Sequence, residues 1–370
     1  MTSAANLPML VAIGGFAIAF VMGAVANKTN FCTMGAVSDV VNMGSWERMR
    51  MWFLAMAVAI IGTGLLQYLG AVDISKAVAT RPSFNWLSYM VGGFVFGVGM
   101  TLGSGCGNKT LIRAGSGSLK SLVVMVFLAI SGYMTLKGLF GSWRAEWLDP
   151  VRLDLTAYAM AGQDIPTILA SITGLSHKML LPVTTVVMGL GLLIFVFKDR
   201  SFRENFDHVF GGVVIGLVVV AGWYITANIG YAENPETLEN VFFGTNTRAP
   251  ESLSFIAPIS YSLELLMLWT DKSLKVTFGI AAIVGVIAGS AAYALYSKTF
   301  RWEGFASVDD TRNHILAGVL MGFGGVCALG CTVGQGISGV STLAMGSYIA
   351  TASIIAGCVA TLKYQYRRLG

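Results

Sequence analysis

Charge is what this sequence has least of. Only 12% of its 370 residues are Asp, Glu, Lys or Arg, about half the share of an average soluble protein, while 55% are hydrophobic and the mean hydropathy is +0.70. An ordinary soluble enzyme is excluded. Disorder is excluded too, because a low-charge, aromatic-rich chain has ample apolar surface to bury. The three histidines, His177, His208 and His314, are scattered through loops and span ends, so no metal site is expected. No two of the five cysteines sit in loops that suggest a structural disulfide. Copper would need a ladder of Met and Cys across spans; Met43, Met49, Met51 and Met56 bunch near one span only and read as core or lipid-facing. No cofactor is expected. The net charge of +5 is no sign of nucleic acid here, because the basic residues form short clusters between apolar runs, where topology explains them.

What is there is apolar runs long enough to cross a bilayer, about 20 residues each. Nine are read, at about 8–26, 51–70, 87–104, 119–140, 180–197, 208–228, 274–297, 312–328 and 341–362. The first has no Lys or Arg before it and no polar cleavage region behind it, so a retained span is expected and not a signal peptide. The two longest connections, near 141–179 and 229–273, are polar with scattered aromatics and read as surface loops with partly embedded ends. Counted alternately, fifteen of the 24 Lys and Arg fall on the side opposite the N-terminus, although the other side owns the longer loops. The short connection Lys198 to Arg203 is the strongest indicator. The positive-inside rule makes that side cytoplasmic, with the N-terminus periplasmic and the C-terminus cytoplasmic.

Two segments 225 positions apart share a pattern. Gly93, Gly97, Gly99 and Gly105-Cys106 recur as Gly318, Gly322, Gly324 and Gly330-Cys331. A fainter match sets Asn30-Phe31-Cys32-Thr33-Met34-Gly35 beside Leu253-Ser254-Phe255-Ile256-Ala257. The expected fold is an all-α polytopic membrane protein of about nine transmembrane helices, one membrane domain over 1–370. Its halves, 8–140 and 208–365, are joined by a single linking span at 180–197, so the second half enters from the opposite side as an inverted-topology repeat. Gly93, Gly97, Gly318 and Gly322 are best explained by close helix packing, since small residues four apart let helices approach. The stretches 103–108 and 330–339 hold too many glycines and polar groups for lipid-facing helices. Such backbone is tolerated at membrane depth only inside protein or around a polar cavity, so both read as broken, re-entrant central segments.

A segment that breaks and resumes as a helix presents free N–H groups and a positive dipole end, suited to an anion. Cys106 and Cys331 stand at two such breaks and Cys32 in the polar break after the first span. Three thiols with almost no carboxylate or imidazole nearby favour a soft, polarizable anion, held weakly enough to leave again.

Asn-Phe-Cys-Thr-Met-Gly-Ala at 30–36, Leu-Gly-Ser-Gly-Cys-Gly at 102–107, Ser252 to Pro258, and the Gly318–Gly339 block resemble the signatures of the YeeE/YedE sulfur-transport family. The resemblance covers about 20–140 and 210–365. It implies a nine-span inner-membrane protein taking up thiosulfate, with Cys32, Cys106 and Cys331 lining the path. It also implies transfer of the sulfur to a small cytoplasmic sulfurtransferase of the TusA/SirA kind. Relatives handle other sulfur or selenium species. The first motif has Asn30 where a basic residue is commoner, with Lys28 two positions earlier.

Around these thiols, Gly105, Gly107 and Gly330 belong to the breaks, and Asn108, Thr332 and Gln335 are candidate hydrogen-bond donors or helix caps. Lys109 and Arg113 could attract the anion from the cytoplasmic end or sit among lipid headgroups. Ser254 and Pro258 would line a fourth broken segment, where Pro can also simply start a helix. Cys327 lies four residues before Cys331, on the same helical face, and is a packing residue, a second path thiol or a redox partner. Cys358 reads as core. No catalytic residue is expected. The reading from another class is a membrane thiol enzyme that uses Cys327 and Cys331 to transfer sulfur.

Overall fold

The computed structural model describes residues 6–235 and 237–369; residues 1–5, 236 and 370 of the expected membrane domain lie outside the described residues. Among the described residues, eight segments are apolar and long enough to cross a membrane, because runs of Leu, Ile, Val, Ala and Gly satisfy every backbone group internally once helical.

The first six helices run α1 (Leu7–Lys28), α2 (Thr33–Met43), α3 (Glu47–Tyr68), α4 (Trp86–Leu102), α5 (Gly107–Gly115) and α6 (Leu119–Lys137). Next come the short α7 (Leu139–Trp143) and α8 (Ile165–Thr173), then α9 (His177–Phe197), which packs on α3 as a peripheral span, and α10 (Arg200–Glu204). The last set is α11 (Phe206–Tyr224), α12 (Ile256–Met267), α13 (Phe278–Tyr296), α14 (Val308–Cys327), a helical segment over 332–341 that widens to π geometry at Gly334–Gly339, and α15 (Met345–Leu369). Both sets therefore read long, short, long, long, short, long. The span expected at 312–328 is α14, packed against α4 and α6. Asp309, Asp310 and Arg312 in its opening turns keep it out of the eight by composition.

Packing follows the same exchange. α1 lies along α13 as α11 lies along α3, and α6 along α14 as α15 along α4, with α4 on α14 at the centre. Glycine sets these distances. A Cβ at Gly97 would overlap the Ile354 carbonyl oxygen of α15, and one at Gly93 would meet the Ala350 carbonyl. Their counterparts Gly318 and Gly322 face the Val124 and Leu128 carbonyls of α6. These four glycines are packing residues, since hydrocarbon gives helices no hydrophobic reason to associate and close backbone contact supplies the attraction instead.

The long connections are built, not loose. Ser83–Phe84 pairs antiparallel with Leu153–Asp154, and Tyr231–Glu233 with Asn240–Phe242. The first connection is tied to the start of α15, where Gln163 accepts from the Met345 N–H through its backbone carbonyl (3.0 Å) and from the Gly346 N–H through Oε1 (3.2 Å). At the other end of the bundle, Lys28 pairs with Asp207 at 2.9 Å and Ser201 donates to Glu47 at 2.7 Å, gathering the ends of α1, α3, α10 and α11.

Candidate functional site

Three of the four short helical segments begin on a cysteine. Cys32, Cys106 and Cys331 are respectively the residues before α2, α5 and the 332–341 segment, and Phe255 precedes α12. The approach to each thiol is the same. The preceding long helix closes with a left-handed residue, Asn30 (φ 53°), Ser104 (φ 53°) or Leu329 (φ 56°), placed two positions before the Cys. The next N–H turns back to a helical carbonyl, Phe31 to Ala26 (3.1 Å), Gly105 to Met100 (2.9 Å) and Gly330 to Gly325 (2.8 Å). This six-residue closure satisfies the helix end and releases the chain directly into the Cys, which is extended at Cys32 and Cys106. Two thiols then cap the helix they open: Gly35 N–H donates to Cys32 Sγ and Gly334 N–H to Cys331 Sγ, each at 3.4 Å.

The four beginnings converge. The Cys32 and Cys106 thiols meet side chain to side chain, Cys106 faces the Thr332 hydroxyl, and the Phe255 N–H points at the Cys331 sulfur. Gly107 lies against Ile256 and Gly334 against Ser254, where a side chain would collide. All five cysteines are free and buried, and the three central ones are no more than 6% exposed. Helix starts aimed at one point leave backbone N–H groups and positive dipole ends there. Thr33 Oγ1 and Asn108 Oδ1 are buried at this point without a hydrogen-bond partner, a costly state that an arriving group able to donate or accept relieves.

Cavities approach the thiols from both ends of α14. One, of about 210 Å³, touches Gly325 and Val326 at its end and reaches Ser254, Pro258, Gly330, Gly334 and Gln335, with Arg144 and Glu251 in its wall. The other, of about 340 Å³, touches Asp310 and His314 at its start and is lined by Ser104, Arg113, Lys120 and Arg301. Eleven residues separate His314 from Gly325, about 16 Å of helix at 1.5 Å per residue.

Lys109 and Arg113 stand on α5, the helix that follows Cys106, and Arg113 lines the second cavity. Both flank Gly105, Lys109 donates to Asn30 at 2.9 Å, and neither has a carboxylate partner among the described residues. Arg48 completes the cluster by lying over Gly35, but it is neutralised by Asp39. Gln335 is partly a cap: its Nε2 donates to Ala328 O at 2.6 Å, leaving Oε1 buried and unpartnered.

For Cys327 only the shared helical face with Cys331 is corrected, and its packing reading agrees with its surroundings. It is the last residue of α14, the helix ends before Cys331, and the two do not share a helical face. Its side chain packs against Gly92 of α4, and Ser88 donates to its carbonyl at 2.9 Å. Cys358 is core, fully buried on α15. Arg48, Arg144 and Glu251 were not singled out from the sequence: Arg48 and Arg144 stand outside any motif, and Glu251 lies just before the Ser252 to Pro258 segment.

Comparison with known proteins agrees with this architecture. The family described as Sulphur transport matches residues 28–360. Thiosulfate transporter TsuA of Spirochaeta thermophila is 25% identical over 350 residues, covering 93% of this chain and 96% of that protein. Thiosulfate transporter TsuA of Escherichia coli is 24% identical over 357 residues, covering 93% and 92%.

Proposed function

Because this chain belongs to the sulphur transport family, we propose that it takes thiosulfate, or a closely related sulfur anion, into the cytoplasm across the inner membrane. The protein is a multi-pass transporter and not an enzyme, which sets aside sulfur transfer by Cys327 and Cys331. The reading is carried by one observation: three thiols at the starts of converging short helices, between cavities at opposite ends of α14.

In this reading the anion enters the cavity at Arg144, loses water against the N–H groups around Cys331, passes Thr332 and Cys106, and leaves past Cys32 and Lys109. Pulling a dianion out of water is costly. Helix ends and N–H groups replace part of the lost hydration, while the sulfur atoms give weak, polarizable contacts that let it go. The two six-helix sets are inverted-topology halves, supported by their matching element order and packing partners. The end that gathers Lys28, Arg50 and the 198–207 connection faces the cytoplasm, supported by its excess of Lys and Arg. A small cytoplasmic sulfurtransferase of the TusA kind is the proposed recipient. The test is uptake of doubly labelled thiosulfate by proteoliposomes holding this protein alone. Accumulation of the intact anion supports the reading; liposomes that stay empty while the protein remains folded overturn it.

A further inference from the structure

Glu251 is a carboxylate in a place where an anion path has no evident use for one. It lines the outer cavity together with Gly330 and Gln335, and Arg144 is the only cationic residue in that wall among the described residues. The backbone of Glu251 is fixed by Thr226, whose hydroxyl donates to its carbonyl at 2.6 Å and accepts from its N–H at 3.2 Å. Its Oε2 accepts a single hydrogen bond, from the Thr247 hydroxyl at 3.2 Å. Among the described residues no ion pair holds it. Arg144 stands 3.4 Å from Asp149 instead. The other titratable group facing Glu251 is Tyr261 of α12, with the mutually paired Lys137 and Glu264 behind it. α11, α13 and the segment at 78–79 present no charge to the cavity.

Burial without a cation pushes the Glu251 carboxyl up to about 7, and the Thr247 hydroxyl draws it only part of the way back. A cavity of about 210 Å³ is only about 7 Å across if round, less than the Debye length of about 8 Å at physiological salt. An anion inside it therefore feels Glu251 almost unscreened.

We propose that Glu251 is a proton-operated gate at the outer mouth of the path: protonated, it leaves Arg144 to meet the incoming dianion, and ionised, it repels that dianion. The inference rests on the thiosulfate reading above.

Thiosulfate stays a dianion through neutral pH, so its own titration adds nothing to the test. Initial uptake is measured in proteoliposomes at external pH 6, 7 and 8, at fixed voltage and sub-saturating thiosulfate. The wild-type rate is expected to fall about tenfold from pH 6 to 8, the ratio of protonated fractions for a group titrating near 7. Glu251→Gln should be flat at the acid rate. Thr247→Val, which removes the hydrogen bond favouring the ionised form, should move the wild-type midpoint to higher pH and serves if the Gln variant fails to fold. A flat wild-type profile, a Gln variant that keeps the wild-type slope, or an unmoved midpoint in Thr247→Val overturns the gate. Wild-type protein that takes up nothing at any pH overturns the thiosulfate reading instead, and the gate with it.

Discussion

Lys109 Nζ donates to Asn30 Oδ1 at 2.9 Å, joining the first residue group of one thiol break to the helix that starts at another. Asn30 stands where a basic residue is commoner in the motif it resembles. Folding returns the missing cation to that spot, carried on α5 and without a carboxylate to neutralise it.

This relationship predicts that Lys109→Met raises the KM for thiosulfate about tenfold, since a hydrogen bond to a charged group is worth about 1.5 kcal/mol or more. Lys109→Arg should recover part of the loss. Unchanged KM in Lys109→Met, read from concentration-dependent uptake, would remove Lys109 from the path.

Each central thiol should matter modestly and alone. Cys106→Ala and Cys331→Ala are expected to lower sub-saturating uptake about fivefold each, from a contact worth about 1 kcal/mol, with elution from size exclusion unchanged. Cys327→Ala and Cys358→Ala should leave transport alone and show only the stability cost of a lost buried side chain. Equal losses at all four positions would contradict the division between path and packing.

Helix contact at glycine predicts a different phenotype. Gly97→Ala places a methyl on the Ile354 carbonyl oxygen, an overpacking error of about 1–3 kcal/mol, so its thermal midpoint in detergent should drop. A wild-type midpoint would mean that α4 and α15 can part without penalty.

Ser104 offers the opposite sign. It is exposed and left-handed, a conformation costing a non-glycine residue about 1 kcal/mol, so Ser104→Gly should leave stability unchanged or raise it slightly. A clear fall in midpoint would show that the hydroxyl contributes more than the backbone loses.

Long apolar runs made the spans readable, and the spacing of Gly and Cys pointed to the breaks, because both are local properties. α14 was readable as apolar only beyond its charged opening. Cys327 illustrates the limit: spacing of four implies one face only while the helix continues, and the left-handed turn at Leu329 ends it first. Arg144 carries no local pattern, and Glu251 stands just outside the Ser252 to Pro258 motif. Their meaning comes from a shared cavity between segments about a hundred residues apart in sequence.

The two cavities also shape the electrical profile of the membrane. In the proposed reading, water filling each cavity brings the bulk potential inward, and most of the voltage then falls across the roughly 16 Å of α14 between them. Two negative charges moved through 100 mV exchange about 4.6 kcal/mol with the field. In that reading the cysteine constriction is the electrically sensitive step: an interior-negative potential opposes inward movement of the dianion there, and steep voltage dependence of the rate is expected from the thinness of the barrier.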